Sequence, residues 1–377
     1  MSGPGNGRPR SWAEIDLAAV RTNAERLAAL AAPAQLCAVV KANGYGHGAV
    51  EVARAGLAGG ATSLAVALVD EGLELRAAGI DAPVLVLAEP PHESMPDVVA
   101  ANLVPTLYTE EGVEEAAKAA ARSDRPLDVH VKVDTGMHRV GAEPAAALDV
   151  IAAVVERSEL HLAGVWTHLA VADEPDNPFT GEQLDRFDRV LAELEARGIE
   201  CGIVHAANSA GAIAHPRSRR DLVRCGIALY GVAPAPELAD ALELLPAMSV
   251  KARVSMVRRV AAGDGISYGL RYRFERPSTV ATVPLGYADG VPRALSAAGG
   301  EVLIGGRRRP IAGTVTMDQL MVDCGDDAVV RGDEVVLIGA QGGERVTADE
   351  WADKLGTIAY EVVCGIGPRV PRIHVDH

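Results

Sequence analysis

The chain has 377 residues, of which 49% are hydrophobic but only 3% aromatic, so a sizeable core must be built from Ala, Val, Leu and Ile, and the length suits two domains. A formal net charge of −15, from 36 basic and 51 acidic residues, argues against general nucleic-acid or anionic-membrane binding. No stretch approaches the roughly 20 unbroken apolar residues of a membrane span. Neither H-E-x-x-H nor C-x-x-C occurs, so no metal site is expected, and the scattered Cys37, Cys201, Cys225, Cys324 and Cys364 suit reduced thiols in the cytoplasm.

Residues 1–10 are Gly/Pro-rich and polar, without an apolar signal core, and read as a disordered tail. Trp12–Asp16 reads as a short strand and Leu17–Ala31 as a helix. From the apolar run Leu36–Val40 onward, strand, loop and amphipathic helix repeat. Further strands are expected at Ser63–Val69, Pro83–Leu87, Val104–Leu107, Asp128–Val133, Leu162–Trp166, Ile203–Ala206 and Asp221–Cys225. Helices are expected at Glu110–Arg122, Pro144–Arg157 and Gly181–Arg197, with Pro144 at a first position, where no backbone N–H is needed. This makes an α/β unit, an N-terminal (β/α)8 TIM-type barrel spanning residues 11–245. A doubly wound open sheet is the competing arrangement, disfavoured because no strand leads into G-x-G-x-x-G. After Pro246 the texture changes to close-spaced short strands and Gly-rich turns, giving a C-terminal all-β domain over 246–377. Within it Met248–Val260 reads as one long strand, and Arg307-Arg308-Arg309 as a solvated turn.

A barrel demands active groups at the C-terminal ends of several strands. Those ends carry Lys41, then Lys132 and Asp134, then Trp166 and His168, Asn208 and Ser209, and finally Arg224 and Gly226. Lys41 ends an apolar strand and is followed by Gly44, Gly46 and Gly48. Burial favours its neutral amine, which attacks carbonyls, and the glycines let backbone approach a ligand. The same K-x-x-G-x-G also describes a salt-bridged lysine beside a plain turn. Likewise Asn208-Ser209 alone would pass as an ordinary helix cap, and His168 as a structural hydrogen-bonder.

The stretch from Ala38 to Gly48, K-V-D-T-G-M-H-R-V-G at 132–141, H-A-A-N-S-A-G at 205–211, R-C-G-I-A-L-Y-G at 224–231, I-S-Y-G at 266–269, G-Y-A-D-G at 286–290 and G-T-V-T-M-D-Q at 313–319 follow one another in order. Together with A-Y-E at 359–361 they closely resemble the alanine racemases, the fold-type III enzymes that use pyridoxal 5'-phosphate (PLP). The resemblance implies that Lys41 carries PLP covalently and serves the α-proton on one face, while Tyr268 serves the other. It implies phosphate contacts from Tyr45, Ser209, Gly226, Ile227 and Tyr360, with Arg224 at the pyridine nitrogen. Arg139 is placed near the cofactor's phenolic oxygen and the substrate carboxylate, which the Met317 N–H also meets. His168 orients groups near the tyrosine, and Lys132 matches a lysine that some members carbamylate. The implied activity is interconversion of L- and D-alanine for peptidoglycan, by a head-to-tail homodimer in which each β domain completes the partner's site. Two readings compete: another fold-type III enzyme, a broader amino-acid racemase or a decarboxylase, and a non-catalytic PLP-binding regulator. The chain departs from the family's usual residues at His138, Thr314 and Thr316.

Overall fold

The computed structural model describes residues 9–376, so most of the expected tail, residues 1–8, lies outside the described residues. Two compact units emerge: Ala18–Leu245, and a second that joins the segment up to Leu17 with everything from Pro246 onward.

The first strand, β1 (Ser11–Asp16), belongs to the second unit rather than to the barrel expected to begin at residue 11. It pairs antiparallel with a strand near residue 250, Ser11 opposite Ala252, and parallel with the last strand, Ala13 opposite Arg372. Its buried Trp12, Ala13 and Ile15 find cover there.

In the first unit a 15-residue helix, Leu17–Ala31, leads to eight parallel strands that close into a barrel. They are β2 (Gln35–Val39), β3 (Ala61–Val66), β4 (Val84–Val86), β5 (Val104–Leu107), β6 (Leu127–Lys132), β7 (Leu160–Trp166), β8 (Ile203–His205) and β9 (Leu222–Cys225). Closure is made by β9 against β2, with Arg224 opposite Cys37. The doubly wound alternative is thereby set aside. Helices Glu110–Ala120, Pro144–Val155 and Phe179–Ala196 lie within a few residues of the expected spans, and Pro144 opens its helix. Their buried faces, such as Ala147, Val150, Ile151 and Val154, cover the outer side of the strands.

The second unit is mostly β. Its strands are β10 (Met248–Arg253), β11 (Met256–Val260), β12 (Gly265–Ile266), β13 (Tyr272–Arg273), β14 (Ser278–Val283), β15 (Glu301–Ile304), β16 (Arg307–Pro310), β17 (Leu320–Asp323), β18 (Glu334–Gln341), β19 (Glu344–Val346) and β20 (Arg372–Val375). The main sheet runs β16-β15-β18-β10-β1-β20, and a second runs β11-β14-β17. The single strand expected over Met248–Val260 is thus two strands in different sheets. The chain changes sheet at Val254 and Ser255, whose N–H groups donate to Asp333 O at 2.9 Å and Thr282 O at 2.8 Å. Arg307–Arg309 forms β16 rather than a solvated turn, because Arg308 is held by Glu301 at 3.0 Å, Glu344 at 3.3 Å and Glu350 at 2.8 Å.

Candidate active site

Strand β2 delivers Lys41 into a left-handed turn. Ala42 and Asn43 have φ of 52°, Gly44 61° and Tyr45 51°. Each non-glycine residue in that region costs about 1–2 kcal/mol, so the turn must be held from outside. Gly44 N donates to Val40 O at 2.8 Å and Gly46 N to Ala42 O at 3.0 Å. The Asn43 side chain accepts from Ala49 N at 3.0 Å, tying the turn to the next helix. The outcome is that Tyr45 points inward and packs on Tyr230, ring centroids 4.9 Å apart, while Tyr230 donates to Val39 O at 2.9 Å.

The Tyr45 hydroxyl lies against Gly226. A Cβ on Gly226 would stand 2.3 Å from Tyr45 Oη, so any other residue would displace the Tyr45 ring. Beside it, Ser209 Oγ accepts from Gly226 N at 3.0 Å and Ala228 N at 3.4 Å. Asn208 caps the short helix Ser209–Ala214 by accepting from Gly211 N at 2.8 Å. Two hydroxyls and a row of backbone N–H groups therefore converge where β9 passes into the turn Ile227–Tyr230. Such a set suits a phosphate.

Arg224, also on β9, is buried, and its two terminal nitrogens are held by protein acceptors. It donates to His205 Nδ1 at 2.6 Å, Thr167 O at 2.9 Å, Ala206 O at 3.0 Å and His168 Nδ1 at 3.2 Å. A guanidinium only donates, so both imidazole Nδ1 atoms accept. His205 then carries its proton on Nε2 and donates to His130 Nδ1 at 2.9 Å. The chain Arg224, His205, His130 has a single direction. Burial and the Arg224 charge hold His130 down to about 4 and push His205 and His168 well below the ordinary histidine range. Burial lowers Arg224 itself to about 10, which leaves it charged at neutral pH. Trp166 forms a common wall, stacked on His205 at 5.5 Å with Arg224 and Lys132 over its ring at 4.4 and 4.6 Å.

Lys132 is buried and brought down to about 7, first by burial and then by the charges of Arg224 and Arg139, against a weaker pull from Asp134. The Lys41 charge reaches both Lys132 and His168, so these groups share one end of the barrel. Asp134 Oδ1 collects the N–H groups of Gly136, Met137 and His138 at 2.9, 2.9 and 3.1 Å, which shapes the loop that carries Arg139. His138 sits at φ 54° with its ring exposed. Thr167 donates to Val133 O at 2.8 Å, Thr135 bonds Thr167 at 2.8 Å, and Gln183 braces Thr135 at 3.2 Å and His168 O at 3.1 Å.

In the second unit Tyr268 stands 73% exposed on a short turn, and Met317 is 52% exposed. Ser267 donates to Thr314 O at 2.7 Å, and Thr314 Oγ1 donates back to Tyr268 O at 3.0 Å. Thr316 Oγ1 closes its own turn on Gln319 O at 2.8 Å. Both threonines that depart from the family pattern thus make bonds that shape the segments bearing Tyr268 and Met317. Tyr287 N and Ala288 N donate to Thr316 O and Met317 O, each at 3.0 Å, so the G-Y-A-D-G segment lies against the same element. A cavity of about 580 Å³ opens beside Tyr268, lined by Arg258, Ile266, Ser267, Thr316 and Gln319. Tyr360 lies half-buried in the helix Ala359–Cys364.

Sequence reasoning missed His130 and Gln183. His130 has the same strand parity as Asp128 and Lys132, and this polar alternation along Leu127–Lys132 was the available signal. Gln183 carried no signal, being one polar residue on an amphipathic helix. Among the described residues no group of three or more His, Cys, Asp or Glu side chains is placed to hold a metal, and no helix is long and apolar enough to cross a membrane.

A closed (β/α)8 barrel with a lysine, a phosphate cradle and a buried arginine at one end, followed by an all-β domain, defines the class of fold-type III PLP enzymes. The family model described as "Alanine racemase, N-terminal domain" matches residues 15–234, and "Alanine racemase, C-terminal domain" matches 247–374. The chain is 49% identical to an alanine racemase of Symbiobacterium thermophilum, covering 98% of both chains, and 47% identical to one of Thermobifida fusca, covering 96% and 97%. The crystal structure of alanine racemase from Streptomyces lavendulae superposes with a TM-score of 0.93 at 41% identity, covering 99% of this chain and 98% of that one. The chain belongs to the alanine racemase family. The family's cofactor is PLP, and the donors around Ser209 and the close approach of Tyr45 to Gly226 fit its phosphate.

Proposed function

We propose that the chain interconverts L- and D-alanine with PLP in the cytoplasm, supplying D-alanine to peptidoglycan. The observation that carries this reading is Arg224, charged, buried and locked by four acceptors at the barrel end that also bears Lys41. When bound, the cofactor supplies a sink for the electron pair released from Cα. Tyr45, Ser209, Gly226, Ile227 and Tyr360 hold its phosphate. Arg224 would meet the ring nitrogen with a donor that does not surrender its proton, which would keep the sink weak and favour proton return at Cα over transamination. Arg139 and the Met317 N–H bind the substrate carboxylate, and His168 orients its neighbours.

Lys41 takes or returns the α-proton on one face, and Tyr268 of the partner subunit does so on the other. The assembly is a head-to-tail homodimer with two equivalent sites. The barrel comprises residues 18–245, and the β unit joins β1 to the residues from 246 onward. Lys132 is carbamylated in the working enzyme.

The test follows optical rotation with L-alanine beside L-serine and L-lysine. The rotation of L-alanine is expected to decay fastest. Comparable decay with L-serine would mean a broader racemase, and no decay would leave a PLP-binding regulator.

A further inference from the structure

We infer that Glu71, in the helix Val69–Ala77 that follows β3, is a positioning residue for Lys41. Bonding within the left-handed turn after Lys41 begins only with Gly44 N, which reaches back to Val40 O at 2.8 Å. Ala42 N donates instead across the barrel end to Glu71 Oε1, at 2.6 Å. The other oxygen, Oε2, accepts from Ala67 N at 2.8 Å and Leu68 N at 3.1 Å. One carboxylate therefore ties the residue after Lys41 to the end of the neighbouring strand and to the start of its own helix.

Packing does not hold the turn at this point, because the Ala42 and Asn43 side chains are exposed. Their left-handed backbone is held by bonds: the Asn43 side chain at its far end and Glu71 at its near end. A carboxylate suits the task because both oxygens accept at once and a charged acceptor binds N–H strongly. Without it Ala42 is free to leave a conformation that alanine disfavours, and the stem of Lys41 leaves its direction with it.

The inference rests on Lys41 being the cofactor's attachment point, and the experiment separates the two ideas. Borohydride labelling and peptide mapping of the parent holoenzyme come first. Labelling on a lysine other than Lys41 overturns both. With Lys41 confirmed, the variants are Glu71→Gln, which turns an N–H toward one of the three donors, and Glu71→Asp, which keeps a helix-capping charge but withdraws from Ala42. Each is expected to lower kcat about tenfold with KM little changed, and to slow labelling of Lys41 by a similar factor. Ala42→Gly placed in the Glu71→Gln background is expected to return both to within about twofold of the parent, since glycine adopts this φ without the penalty that alanine carries. A capping defect would lower the melting temperature and would not respond to Ala42→Gly. Parental labelling and turnover in the Glu71 variants, or a Glu71→Gln defect that Ala42→Gly leaves untouched, overturns the inference alone.

Discussion

The two units hold their site residues by opposite means. In the barrel, Arg224 and Lys132 are each 3% exposed and Ser209 is 4% exposed, whereas Tyr268 and Met317 in the β unit are 73% and 52% exposed. A buried polar group without partners is penalised, and Arg224, His205, His130 and Ser209 accordingly hold directed hydrogen bonds within the barrel. The β unit instead fixes its groups through backbone, with Ser267 and Thr314 clasping the turn while the phenol points outward. The lesson is that the barrel end is preorganised within a single chain. The β unit presents the Tyr268 phenol and the Met317 segment to solvent, so the proposed roles of both require something to cover them.

The largest expected effects break that contrast directly. Lys41→Ala and Tyr268→Ala homodimers should each lose on the order of 10²–10⁴ of the parental rate. If the partner covers the phenol, mixed dimers contain one doubly damaged site and one intact site. Random subunit exchange should then restore about a quarter of parental activity, while exchange between two preparations of the same variant restores none. Verified heterodimers that stay inactive would place both residues within one chain's site.

A smaller effect tests the directed network. Arg224→Glu should reduce racemisation by on the order of 10² and produce pyruvate, which a coupled lactate dehydrogenase assay detects. The carboxylate cannot donate to His205 Nδ1, so the donor chain to His130 must reverse or break. Racemisation at the parental rate without pyruvate would remove Arg224 from control of reaction type.

The same contrast explains what was legible in the sequence. The eight barrel strands and the Lys41, Asp134–Gly141 and Arg224 segments are local patterns, and each lies within a few residues of its expected place, although the strand expected over Ser63–Val69 is Ala61–Val66 and Val69 already opens a helix. Non-local choices were hidden. Nothing in Ser11–Asp16 announces that its partners are Met248–Arg253 and Arg372–Val375, and the sheet change at Val254 depends on acceptors at Asp333 and Thr282. Arg308 looked solvated because Glu301, Glu344 and Glu350 are brought to it only by the fold. His130 shared parity with Lys132, yet its role appears only when β8 sets His205 beside it.

The buried half should also respond to acid in a way the exposed half does not. His130 titrates at about 4 in the folded chain, against roughly 6.5 when unfolded. Below about 6.5 the unfolded chain therefore binds a proton that the folded one refuses, so stability rises with pH across this window and falls as pH drops through it. His205 and His168 act with the same sign. His130→Asn keeps an acceptor for His205 but does not titrate. The stability difference between pH 7.5 and 5.5, from urea midpoints, should shrink by about 1 kcal/mol relative to the parent. An unchanged difference would mean that His130 is not the buried neutral group described here.

The smallest effect concerns Lys132, which the barrel buries within the fields of Arg224 and Arg139. At about 7 a substantial share of its amine is neutral near physiological pH, where an ordinary lysine is almost wholly charged. A neutral amine adds to carbon dioxide, forming an N–C bond and releasing one proton, and the product carries a negative charge. Burial is the first cause of the lowered amine and disfavours a charged product as well, but Arg224 and Arg139, which add to that lowering, attract the negative carbamate. The carbamate should build up as pH rises through about 7 and disappear below it. With ¹³C-bicarbonate, the protein should show a carbamate resonance that Lys132→Met lacks. The variant's turnover should fall only about two- to tenfold, because the group supports Arg139 and moves no proton itself. A resonance that survives Lys132→Met, or its absence from the parent above pH 8, would leave Lys132 as a buried amine beside two guanidinium groups.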